Sequence, residues 1–160
     1  AIFAPFIPVM WIGDEAMRIC HDGLNCLYFQ RPEIERLLEQ PENRAFYEKV
    51  KQYIRIRRSY PDIFSYFPQN HRDVNICKVN SNSDLQSYAR FSDNRCVIVV
   101  PNNTEKSREI TIDIPFGICG FTELNSILIT DLLTENKIPF NKKIKVMVPA
   151  KEMAVLLLEI

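Results

Sequence analysis

The sequence has few glycines and no excess charge of either sign. Only 4 of its 160 residues are glycine, and 20 basic residues balance 20 acidic ones. A chain without net charge has no global field that would attract a polyanion or an anionic membrane. We therefore expect neither nucleic acid nor a membrane among its partners. With 46% hydrophobic residues the chain is apolar enough to build a core, which argues against disorder.

Apolar runs of membrane-spanning length and paired cysteine motifs are also absent. The longest apolar run is too short to span a bilayer. The cysteines include no CxxC pair of the kind that marks zinc or redox sites. Cys20 and Cys26 could form a disulfide or be two free thiols, and the sequence does not decide between these states. Together with the neighbouring His21 they supply only three of the four ligands of a typical zinc site. We expect no metal and no cofactor.

An uncharged apolar stretch, IFAPFIPVMWI, occupies residues 2–12, with nine apolar residues and two prolines. It lacks the basic region and the cleavage site of a signal peptide, so we interpret it as structure, and the compartment stays open. An unbroken apolar run is typical of a strand buried on both faces, usually in a parallel sheet. Parallel neighbours need crossover units of a dozen or more residues each.

The next part of the sequence predicts helices. PENRAFYEKVKQYIRIRRSYP, residues 41–61, places apolar residues at helical spacing on one stripe, which predicts an amphipathic helix. The members of that stripe are Phe46, Tyr47, Val50, Tyr53 and Ile54. Basic residues at the end of the segment suit the helix dipole. PEIERLLEQ, residues 32–40, predicts a shorter helical segment.

After residue 66 the period changes from 3.6 to 2, which indicates strands. Ile110, Ile112 and Ile114 alternate with polar residues, and CVIVV at 96–100 is almost continuously apolar. Polar turn sequences separate these segments, and no helical pattern lies between them. Short strands at regular spacing predict an antiparallel, Greek-key-like β-sandwich of about seven or eight strands. The remaining segments are near 73–79, 85–91, 126–130, 144–148 and 153–160.

Together these patterns predict a mainly β chain that carries an α/β fragment. Residues 1–66 are interpreted as the last βα unit of a TIM-type (β/α)8 barrel, because no crossover units for further parallel strands are present. Residues 67–160 form the sandwich domain. On this hypothesis the other barrel strands are encoded earlier in a longer polypeptide.

Several stretches resemble the α-amylase superfamily of glycoside hydrolases. FIPVMWIGDE is similar to the family's "G-x-P-x-I-Y-Y-G-x-E" stretch at the eighth barrel strand, and YIRIRRSYPDIF is similar to a helix ending close to "ALRREHPAL". DLLTENK and IKVMVPAKEMAVLLLEI are similar to the closing "DLLTGE…VTLPPYGVAVLEI". Departures occur at Phe6 for the usual glycine, Trp11 and Ile12 for a tyrosine pair, and Glu135-Asn136 for Gly-Glu.

The resemblance implies a C-terminal part of a retaining, α-glucan-active enzyme. Such enzymes use two carboxyl groups about 5 Å apart, and the family takes them from its fourth, fifth and seventh barrel strands. The catalytic residues are therefore expected upstream of residue 1, and this chain alone is expected to be inactive. Trp11, Asp14 and Glu15 are the candidate substrate-binding residues. Asp14 and Glu15 fall at the rim where barrels bind substrate, and Trp11 could stack on a sugar face or pack in the core. The implied partners are the upstream barrel and an α-glucan or oligosaccharide.

Two alternatives remain on the sequence alone. The sandwich could be a non-catalytic carbohydrate-binding module that uses exposed aromatic residues, or the whole protein could be a catalytically dead barrel-plus-sandwich interaction protein. The available aromatic residues are Tyr88, Phe91, Phe116, Phe121 and Phe140. Asn102-Asn103-Thr104 forms an N-glycosylation sequon, which matters only in a eukaryotic secretory setting.

Overall fold

The structure is a computed structural model that describes residues 2–3, 17, 31–64, 75–92, 95–114, 116–117, 121, 127–140 and 143–160. The strand predicted over residues 2–12 lies outside these residues apart from Ile2 and Phe3, which form a turn. The chain divides into two compact units, Ala1–Ser59 and Tyr60–Ile160. The domain boundary predicted between residues 66 and 67 falls outside the described residues and stays a prediction.

The first unit contains two helices, α1 (Arg31–Leu37) and α2 (Pro41–Ser59). Both begin with or next to a proline, which the first turn of a helix tolerates because its N–H groups have no partner there. The Asn43 side chain donates to the carbonyl of Leu37 at 3.0 Å and so satisfies a carbonyl at the end of α1. The predicted amphipathic helix is confirmed at α2.

The apolar stripe predicted on α2 is only partly covered. Val50 is buried, whereas Phe46 and Ile54 are 40% and 38% exposed. The Tyr53 ring meets the buried Phe3 ring edge-on at 5.6 Å between centroids. Among the described residues of this unit, then, the centre of the stripe is packed and its flanks face outward.

The second unit holds α3 (Pro61–Phe64) and one eight-stranded sheet of described strands in which every pairing is antiparallel. The strand order is β6-β5-β8-β3-β2-β1-β4-β7. The predicted antiparallel β architecture is therefore confirmed. The strands are β1 Ile76–Ser81, β2 Ser87–Ser92, β3 Arg95–Asn102, β4 Arg108–Asp113, β5 Leu128–Asp131, β6 Lys137–Ile138, β7 Lys143–Val148 and β8 Glu152–Glu159.

Strand β1 changes partners along its length. Its first part pairs with β2, and Asn80 and Ser81 pair with β4. Although β7 is last in the strand order, it contacts β3 and β8. The sheet therefore folds back on itself, and its inner face forms the core. That core includes Val79, Ala89, Cys96, Ile98, Val100, Ile110, Ile112, Ile129, Ile144, Val146, Leu156 and Leu158.

The two central strands, β3 and β8, are buried on both faces. Besides their core residues, Val97, Val99, Val155 and Leu157 are buried on the opposite face, which we call the second face. This explains why CVIVV and AVLLL are continuous apolar runs, whereas β4 and β7, with one buried face, alternate. Helix α3 contacts β2 and β3. No described helix is both long and apolar enough to cross a bilayer.

Candidate functional site

The substrate-binding site predicted from the sequence is not part of the described structure. Trp11, Asp14 and Glu15 lie outside the described residues, as do Cys20 and Cys26, so their predicted roles stay predictions. The described residues that bear on function are the aromatic side chains of the sheet and four groups of polar side chains.

Four of the five aromatic candidates for sugar stacking lie in the core or pack against it. Phe121 is buried, and Phe116 meets it edge-on at 6.3 Å between ring centroids. Phe116 also meets Phe140 edge-on at 5.6 Å, and Phe91 packs against the same core. An edge-to-face cluster of this kind supplies packing energy. These rings hold the sheet together and do not present a stacking platform.

Tyr88, the fifth aromatic candidate, lies on the face of the sheet opposite to the core. It is half-buried on β2, directly opposite Val99 of β3 and Lys78 of β1. These pairings place its side chain on the second face of the sheet, because residues directly opposite in an antiparallel pair share a face. Tyr88 is therefore the one ring of the five that does not join the core cluster.

Asn102, at the end of β3, organises one end of the sheet. Its side chain is 1% exposed, and its amide nitrogen donates to the carbonyls of Lys106, Val148 and Pro149 at 2.9, 3.0 and 2.8 Å. Its amide oxygen accepts from the backbone N–H and the hydroxyl of Thr104 at 3.1 and 2.7 Å. A single buried carboxamide thus joins the β3–β4 turn to the β7–β8 turn.

Further polar contacts bring a third turn to the same end. Both carboxylate oxygens of Asp84, in the β1–β2 loop, accept from the backbone N–H of Asn103 at 3.2 Å. The hydroxyl of Ser83 donates to the carbonyl of Pro101. Lys151 donates to the carbonyl of Asn103 at 2.9 Å and also forms an ion pair with Glu105 at 2.9 Å. The polar side chains at this end of the sheet therefore hold its turns together.

The geometry at Asn102 bears directly on the sequon. Glycosylation attaches sugar to the amide nitrogen of asparagine, a bulky addition that requires an accessible surface site. In this fold that nitrogen is buried and already donates to three carbonyls. The folded chain therefore offers no glycosylation site at Asn102, and the triplet has a structural explanation.

A second polar group lies at the opposite end of β3. Asp62 of α3 accepts from the Ser92 hydroxyl at 2.7 Å and forms an ion pair with Arg95 at 3.0 Å. Burial raises the pKa of Tyr60, and the nearby carboxylate of Glu159 raises it further, while Arg95 opposes the shift. These are structural contacts around the start of α3.

Arg90 is a buried cation on the second face, 2% exposed. Its guanidinium lies 5.4 Å from the centre of the Phe64 ring and donates to the side-chain oxygen of Asn75 at 3.1 Å. Asn75 in turn donates to the carbonyls of Ile63 and Phe91 at 3.0 and 2.7 Å.

The β5–β6 turn is organised by Asp131 and contains a residue with a left-handed backbone conformation. The carboxylate of Asp131 accepts from the N–H of Leu133 and the hydroxyl of Thr134, both at 3.0 Å. Glu135 has φ 61°, a left-handed conformation that glycine adopts more readily. The turn therefore carries a glutamate at a position whose backbone conformation suits glycine better.

Metal ligation finds no support in the described part of the chain. No group of three or more His, Cys, Asp or Glu side chains in it is arranged to hold a metal ion. Of the cysteines in the described ranges, Cys96 is buried and Cys77 half-buried, and neither forms a disulfide. Both project from the sheet into or against its core.

The architecture now allows comparison with known proteins. The fold is similar to that of α-amylase-family enzymes. An Anoxybacillus α-amylase, described as representing a new glycosyl hydrolase subclass, matches 99% of this chain with a TM-score of 0.61 and 18% identity. The noncanonic maltogenic α-amylase AmyB from Thermotoga neapolitana matches 72% with a TM-score of 0.50 and 16% identity. AmyP, solved in complex with maltose, matches 74% with a TM-score of 0.51 and 15% identity.

Each match covers most of this chain but less than a third of the similar enzyme. This chain spans 30% of the Anoxybacillus enzyme, 26% of AmyB and 21% of AmyP. No model of a known protein family matches the chain, and no curated protein matches it. At such low identity the structural likeness establishes the fold and leaves activity to be proposed.

The buried polar contacts of Arg90 and Asn75 were not predicted from the sequence, and Asn102 was identified there only as part of a glycosylation sequon. A signal for Arg90 was present, since SYARFS puts a basic residue at a position of β2 next to the most apolar strand. For Asn102 the signal was its place at the end of an apolar run, where a buried side chain must satisfy the backbone groups of the turn.

Proposed function

We propose that this chain is the C-terminal part of a retaining, α-glucan-active glycoside hydrolase. The supporting observation is the one-sided match, in which 99% of this chain corresponds to only 30% of an α-amylase. In this proposal residues 1–66 are the last strand and helix of the (β/α)8 barrel, and residues 67–160 form a Greek-key-like sandwich. The partly uncovered stripe of α2 fits a helix whose neighbours belong to a larger body.

The catalytic groups of the proposed enzyme lie outside this chain. Retaining enzymes need a carboxylate nucleophile and a carboxylic acid about 5 Å apart. Two of the described carboxylates, Asp62 and Asp131, are held by structural hydrogen bonds in α3 and in a turn. Trp11, Asp14 and Glu15 are proposed to contact the sugar at the barrel rim, and the sandwich is proposed to stabilise the barrel.

The aromatic geometry favours this proposal over an independent carbohydrate-binding module. A binding module requires exposed rings, whereas Phe91, Phe116, Phe121 and Phe140 pack in or against the core. Tyr88 is half-buried on the second face.

Activity measurements on two polypeptides test the proposal. The 160-residue chain and a longer polypeptide that includes the upstream barrel are each incubated with maltoheptaose and starch. We expect the longer polypeptide alone to release reducing sugar, and proton NMR to show that the first product keeps the α-anomeric configuration. A longer polypeptide that is folded but inactive on α-glucans, or a product with inverted configuration, would contradict the proposal. Replacing the upstream carboxylates by amides provides the inactive control.

A further inference from the structure

We infer that Tyr60–Phe64, which we call the 60–64 clip, is a fixed part of the β unit that closes the second face and unfolds together with the sheet. In sequence the clip follows directly from α2. It contacts β2 and β3, and the Asp62 side chain bonds to both strands. This inference does not depend on the proposed function.

The first attachment is polar and lies at the start of the clip. The Asp62 carboxylate accepts from the Ser92 hydroxyl at 2.7 Å and pairs with the Arg95 guanidinium at 3.0 Å. Ser92 and Arg95 are directly opposite each other where β2 and β3 come together. One side chain of the clip therefore holds both strands at that end.

The second attachment surrounds the last residues of the clip. The Arg90 guanidinium donates to the carbonyl of Phe64 at 3.4 Å and lies under the Phe64 ring, at 5.4 Å from its centre. The Asn75 amide donates to the carbonyl of Ile63 at 3.0 Å, and its oxygen accepts from Arg90 at 3.1 Å. A buried cation is costly to leave without its polar contacts, so the clip is coupled to the position of Arg90.

The third attachment is apolar. Ile63 and Phe64 are both buried, although α3 is only one helical turn long. A single helical turn has no stability of its own, because nucleation is unfavourable and isolated short helices do not persist in water. The conformation of the clip is therefore maintained by the sheet it covers, and the second face at β2 and β3 is closed by the clip.

Native-state hydrogen exchange of the whole chain tests the inference, with NMR detection residue by residue. The amides of Ile63 and Phe64 both bond to the Tyr60 carbonyl, at 3.1 and 3.0 Å, and report on the clip. Ile112→Val removes a methylene group from the core at β4 and so destabilises the sheet. Val50→Ala removes two methyl groups from the buried face of α2 and so destabilises that helix. If the clip opens with the sheet, Ile112→Val accelerates exchange of the clip amides and of the β3 amides by the same factor, about 3- to 10-fold. Val50→Ala accelerates the α2 amides and leaves the clip unchanged.

Two results would overturn the inference. In one, Val50→Ala accelerates hydrogen exchange of the clip amides. In the other, they exchange by local opening and respond to neither variant. A second pair of variants addresses the attachment itself. Asp62→Ala should accelerate exchange of the clip and of the amides where β2 meets β3, whereas Glu105→Ala, which removes an exposed acid at the other end of β3, should change neither. Equal exchange in both variants would also refute it.

Discussion

Replacing Asn102 by alanine is expected to lower the free energy of unfolding by about 3 kcal/mol. The substitution removes an amide group that donates to three carbonyls and accepts from Thr104 twice. The carbonyl of Val148 is the most enclosed of these partners, since its hydrogen bond to Asn102 is buried. The β3–β4 and β7–β8 turns lose the side chain that joins them.

The magnitude follows from two contributions. A hydrogen bond within a protein contributes about 1 kcal/mol net, and leaving a buried polar group unsatisfied costs about 1–3 kcal/mol. The amide has only two N–H groups, so its three donor contacts are not three full bonds. Two donated bonds plus one unsatisfied carbonyl, taken at the lower end of that range, therefore give about 3 kcal/mol, a large part of the 5–15 kcal/mol typical of a domain.

Urea unfolding of the whole chain, followed by circular dichroism, measures this loss. Asn103→Ala is the matched control, because Asn103 is the exposed neighbour and contributes only backbone groups to the same turn. A loss below about 1 kcal/mol for Asn102→Ala, or an equal loss for both variants, would refute the reasoning.

Asn102→Asp provides a second test, because its loss of stability should depend on pH. A carboxylate would face three carbonyl oxygens in the folded state, which favours its protonated form there and predicts a folded-state pKa above the value of about 3.9 for an unfolded chain. The added instability is therefore absent below about pH 4 and grows as pH rises through the folded-state pKa. A loss that is independent of pH would contradict this explanation.

Three further predictions concern other parts of the β unit. Glu135→Gly should stabilise the chain by about 0.5–1 kcal/mol because φ 61° suits glycine, whereas Glu135→Ala should bring no gain; equal effects in urea unfolding would contradict this. Phe121→Ala should destabilise the fold by about 3 kcal/mol and leave migration of the folded fraction on a starch affinity gel unchanged, and selective loss of starch retardation would oppose it. Because burial and Glu159 raise the pKa of Tyr60 above 10.0, stability should fall as pH rises above about 10. Tyr60→Phe should reduce that fall in thermal scans, and an identical profile would refute it.

Much of the β unit could be predicted from the sequence because its strands carry a clear period. The alternation in β4 and β7 and the continuous apolar runs in β3 and β8 correspond to one and two buried faces. Strand order was not predictable in this way, because periodicity says nothing about which strands pair. The partner change of β1 between β2 and β4 is a property of the folded sheet alone.

The helical segments show where sequence patterns mislead. The stripe on α2 has the correct period, but only its centre is covered, since periodicity shows which face is apolar and not what lies against it. Local patterns do not assign residues 60–64, which follow α2 in the chain. In the structure Asp62 and Phe64 contact β2 and β3 through Ser92, Arg95 and Arg90. Contacts between residues distant in sequence decide such assignments. The predicted site at Trp11, Asp14 and Glu15 remains a prediction.

The most direct test of the proposed function is to trap the covalent glycosyl-enzyme intermediate on the proposed longer polypeptide. A slowly hydrolysed fluorinated glucosyl fluoride labels the nucleophile of a retaining enzyme, and peptide mass spectrometry locates the label. The proposal predicts one labelled carboxylate in a peptide upstream of Ala1 and none within the 160 residues. A label on Asp14 or Glu15, or an active enzyme that forms no covalent intermediate, would contradict it.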